Sequence, residues 1–113
     1  MVEMRCPSRT LAQMSFADFE HSIARDPAPP ANTSGAVQAL WHDARGDWHQ
    51  AHTCAQEEGG RDGSWVHAYL HRKEGDPANA GYWYARAGRP KPAAGVTLES
   101  EWAEIARVLL GEK

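Results

Sequence analysis

Two histidines four positions apart, His67 and His71, are the first chemistry the chain offers. On a helix that spacing puts both imidazoles on one face, the arrangement of a helical metal-binding pair. His52 lies in the preceding helical stretch and is the nearest candidate for a third donor. Three neutral imidazoles can hold zinc and leave a fourth position open for water. The pair lacks the Glu of the metalloprotease signature, and no residue pattern fixes the third ligand. The plainer reading is therefore favoured: structural or surface histidines, with His52 on an apolar stripe as a core imidazole bonded to a backbone carbonyl. No cofactor is assigned; zinc at His52, His67 and His71 is the alternative.

Other chemistry is thin. No Ser or Cys has the strand-turn-helix setting of a nucleophile elbow. Gly59-Gly60 is followed by charged turn residues, not by the Lys-Ser of a phosphate loop. Asp47 and Asp76 each follow a Gly and read as helix caps, not catalytic carboxylates. No catalytic residue is named, and the chain reads as a non-enzyme more readily than as an enzyme. Trp41, Trp48, Trp65 and Trp83 can fill a core or line a recognition groove. Asn79 is either solvated or, through its two-sided amide, a clamp on a peptide backbone.

The elements that must position these groups are helices. A length of 113 residues fits one domain, and five Trp compensate for few large aliphatic residues. A net charge of −3 argues against nucleic acid, and no apolar run is long enough for a membrane span. Cys6 and Cys54 make neither a disulfide framework nor a zinc knuckle, so a reducing cytoplasm is the expected location. Residues 1–14 have no periodicity and read as a poorly ordered arm; residues 15–113 read as one helical domain.

Ser15 caps a short helix with Phe16, Phe19 and Ile23 on one face, and Asp26-Pro-Ala-Pro-Pro30 ends it. Gly35 to Arg45 and Trp48 to Glu58 follow as helices, broken at Gly46-Asp47. Gly59 to Gly63 reads as a loop. Ser64 caps a helix from Trp65 to Glu74, and Asp76-Pro77 starts another that ends at Gly88. Arg89 to Val96 is a linker, and Thr97 caps a last helix, 98–110, with Trp102, Ile105 and Leu109 in register. The N-terminal and C-terminal helices are expected as caps over the ends of what lies between.

The chain also matches itself at an offset of 29 residues. Val37, Ala39, His42, Gly46, Asp47 and Ala51 pair with Val66, Ala68, His71, Gly75, Asp76 and Ala80. The matches fall where two helices turn and where small residues let their axes approach. In this pattern the chain resembles the tetratricopeptide repeat and its relatives. The second unit carries the likeness best: Trp65, Ala68, Gly75-Asp76, Ala80, Tyr84 and Ala87, with Pro90 soon after. The first departs at Ala55 and Glu58, and the spacing is shorter than the usual ~34. The runs Leu40 to Trp48, Trp65 to Asp76 and Asn79 to Tyr84 are also similar to a family of small bacterial proteins of uncharacterised function.

The resemblance implies an all-α fold: two tandem antiparallel helical hairpins, 35–58 and 65–88, in an α-α superhelix. It also implies a groove along the first helix of each hairpin, near Leu40, Asp43, Trp65, Tyr69 and Arg72. The expected function is a non-catalytic scaffold that binds a peptide or protein partner or a second copy. The candidate binding residues are Trp41, His52, Trp65, His67, Tyr69, His71, Arg72, Asn79 and Trp83. The alternative is a metal- or small-molecule-binding protein that uses the histidines.

Overall fold

A computed structural model describes residues 14–111; most of the expected N-terminal arm lies outside them. Met14, placed in that arm, is half-buried against the core. The described residues form helices and connections, with no strand among them. The helices are α1 (Phe16–Arg25), α2 (Gly35–Ala44), α3 (Trp48–Glu58), α4 (Gly60–Lys73), α5 (Pro77–Ala87) and α6 (Leu98–Leu109). None is long and apolar enough to cross a membrane.

Side-chain caps set most of the starts. The Ser15, Ser34 and Thr97 hydroxyls accept from the amides of Asp18, Val37 and Ser100, and the Asp47 and Asp76 carboxylates from those of Gln50 and Asn79. Each cap satisfies an amide that the first helical turn leaves without a partner. The two Gly-Asp turns share one geometry. Gly46 and Gly75 sit at φ 83° and 89°, and the amides of Asp47 and Asp76 each donate to the carbonyl of the preceding helix's His42 and His71 at 2.9 Å.

One expected loop is helical. Gly59 alone (φ 66°, ψ −170°) separates α3 from α4, and the stretch 60–63 forms the first turn of α4. The Ser64 hydroxyl donates to the Gly60 carbonyl inside the helix instead of capping it. Tertiary packing overrides the glycine-rich composition here. A Cβ at Gly63 would lie 2.8 Å from the Ala55 carbonyl oxygen, so the absence of a side chain lets α4 press against α3.

α4 is the central element, buried without a break from Gly63 to His71. It packs against α3, α5, α2 and α6. A helix buried all round needs neighbours on every side, and α6 supplies the one that the paired helices leave open. α6 rests on both α2 and α4 instead of over one end. The Trp102 indole N–H donates to the Leu40 carbonyl at 3.0 Å. Phe16 and Phe19 of α1 meet the Trp102 ring at centroid distances of 5.9 Å each. Trp41, named among the candidate binding residues, is buried as a core aromatic, and its indole N–H donates to the Ser22 hydroxyl.

Candidate functional site

His52 of α3 and His67 and His71 of α4 converge. One ring nitrogen from each lies within 4.8 Å of the other two. The Nε2 atoms of His52 and His67 are 2.9 Å apart. His52 therefore bonds an imidazole, not the backbone carbonyl that the apolar stripe suggested. For that contact to attract, one ring carries its proton on Nε2 and the other on Nδ1. His71 engages the Glu74 carboxylate through Nδ1 at 2.7 Å, which leaves its Nε2 as the remaining ring nitrogen.

Burial disfavours the charged form of two of the rings. It lowers His67 to about 4, helped by the neighbouring His52 and His71. His52 is lowered too, by burial first and then by His71, although Glu74 opposes the shift. Two tryptophans hold the rings. Trp48 stacks on His52 with centroids 4.9 Å apart, and its indole N–H is fixed on the Leu70 carbonyl at 3.0 Å. Trp83 of α5 stacks on His67 at 3.9 Å. Trp48 lies four residues before His52 and Glu74 three after His71, so both contacts follow from helical spacing. The sequence points to Trp48 only as a core or groove aromatic, and to Glu74 only as the end of a helix.

The remaining candidates sit elsewhere. Trp65 and Tyr69 are buried in the core on other parts of α4, and Arg89 lies over the Trp65 ring at 3.9 Å. The Tyr69 hydroxyl donates to buried Asp43, which also takes an ion pair from Lys73 at 2.8 Å. Arg72 pairs with buried Glu101 of α6 at 2.7 Å, and the Tyr84 hydroxyl donates to the same carboxylate. Burial, and then the adjacent carboxylates, push both phenols far above the ordinary tyrosine range. Both stay protonated donors. Asn79 is exposed and bonds Asp76 through its amide side chain at 3.4 Å, so it completes a helix cap.

Leu40, Asp43, Trp65 and Tyr69 are buried, and α6 packs on both of the helices along which the resemblance places a groove. A cleft of about 520 Å³ opens between α1 and α6, and Asp43 and Tyr69 are among the residues that line it. Phe16, Ile23, Leu98 and Trp102 form its apolar walls. Glu20, Glu99 and the Asp43–Lys73 pair supply its polar groups.

These features define an all-helical protein with a largely buried three-imidazole cluster and an amphipathic cleft. Comparison with known protein families, with curated proteins and with solved structures finds no match.

Proposed function

We propose that this chain is a non-catalytic, tetratricopeptide-like scaffold of two tandem antiparallel helical hairpins that binds a peptide segment of a partner protein. The matching turns support the repeat: Gly46-Asp47 and Gly75-Asp76 share their left-handed glycine, their capping aspartate and their backbone hydrogen bond. The cleft carries the binding reading. Its apolar walls suit one large hydrophobic anchor, and Glu20 and Glu99 are exposed carboxylates beside it. Asp43 is already matched by Lys73. The partner segment is therefore an apolar anchor flanked by basic residues.

Titration of the protein's tryptophan fluorescence, to which Trp102 in the cleft contributes, with a Leu/Phe-containing basic peptide tests this, with an acidic peptide of the same apolar content as control. Saturable binding of the basic peptide, weakened at least tenfold by the paired substitutions Glu20→Lys and Glu99→Lys, is expected. Equal response to both peptides, or no response, overturns it. Light scattering that shows a dimer broken by the same substitutions would assign the cleft to a second copy.

A further inference from the structure

We propose that His52, His67 and His71 form a site for a single transition-metal ion, with zinc the fitting ion. Three imidazole donors with no thiolate suit zinc, whose Zn–N bonds of about 2.0–2.1 Å place two tetrahedral ligand nitrogens roughly 3.3 Å apart. The His52 and His67 nitrogens lie 2.9 Å apart, and the third is within 4.8 Å of both. Widening the His52–His67 pair by a few tenths of an ångström, and drawing the third nitrogen in by up to roughly 1.5 Å, lets one ion replace the hydrogen bond and take all three rings.

The surroundings are those of a metal centre. A ligating histidine is usually oriented by a carboxylate on its other ring nitrogen, and Glu74 does this for His71 at 2.7 Å. Stacking of Trp48 on His52 and Trp83 on His67 fixes two of the planes before any ion arrives. On binding, the ring that carries its proton on Nε2 shifts it to Nδ1, so that both facing nitrogens present lone pairs. A hydrogen-bonded histidine pair alone would account for His52 and His67. It gives no reason for a third buried imidazole, carboxylate-backed, to face them. Three protein ligands leave a fourth position for water or a small anion. The ligands come from both proposed hairpins, so the ion would also cross-link α3 to α4.

Chelator-stripped full-length protein titrated with zinc by calorimetry, and with cobalt by visible absorption, tests the site. One ion per chain, intense tetrahedral cobalt bands and a raised melting temperature are expected. His52→Ala and His71→Ala should each weaken zinc binding about 100-fold. Glu74→Gln should weaken it about 10-fold while keeping the stoichiometry. His49→Ala, on an exposed position of α3, should leave it unchanged. If a variant fails to fold, imidazole nitrogen NMR of the native chain gives the same answer, because only His52, His67 and His71 should shift on adding zinc. Absence of binding, or binding that survives both His52→Ala and His71→Ala, overturns the site.

Discussion

Trp102 and Leu40 are joined by a hydrogen bond of 3.0 Å across sixty-two positions of sequence, from the last helix to the carbonyl of α2. The bond marks how the final helix closes the fold. The Trp102 ring also packs against Phe16 and Phe19, so one side chain holds α1, α2 and α6 together.

Substitutions at Trp102 should separate these roles. Trp102→Phe keeps an aromatic body and loses the indole donor, at a cost of about 1 kcal/mol. Trp102→Ala removes the packing as well and should cost about 3 kcal/mol. Urea unfolding followed by circular dichroism measures both. Equal losses for the two variants would show that the ring contributes nothing beyond its hydrogen bond.

Two helical glycines should respond to alanine with opposite signs. At Gly81 the nearest atom to a new Cβ is the flexible Lys91 ammonium at 3.7 Å. Gly81→Ala should therefore stabilise by about 0.5–1 kcal/mol through helix propensity alone. At Gly63 the new Cβ meets the Ala55 carbonyl at 2.8 Å and Glu58 Cβ at 3.1 Å. Forcing α3 and α4 apart should outweigh the propensity gain and cost about 1–3 kcal/mol. Thermal melts of the two variants decide it, and a stabilising Gly63→Ala would mean that the α3–α4 approach is looser than described.

Acid should weaken the metal-free protein earlier than its carboxylates alone would. His67 holds its ordinary value of 6.5 when unfolded and is lowered to about 4 when folded, so the unfolded chain binds more protons between those values. Stability is then flat above pH 6.5 and falls as the pH drops towards 4, by up to ~1.4 kcal/mol per pH unit for one proton. His52, lowered by burial and His71, adds to the fall with the same sign. Urea midpoints of chelator-treated protein at pH 7.5, 6.0 and 5.0 measure the slope. His67→Gln should flatten it; identical slopes would exclude His67 as its source.

Local chemistry made much of the helical plan legible in advance. Ser15, Asp47, Asp76 and Thr97 act as caps, and both Gly-Asp pairs turn the chain, because capping and left-handed glycine depend on neighbours within a few residues. The i, i+4 spacing placed His67 and His71 on one face for the same reason. Distant partners decided the rest. The glycine-rich 60–63 became helix because α3 presses against it, and the settings of Trp41, Tyr69 and Arg72 were decided by Ser22, Asp43 and Glu101, which claim their polar atoms. His52 met His67 only through the α3–α4 packing. Periodicity shows which side of a helix faces inward, but not which helix will lie there; that was settled when α6 covered α2 and α4.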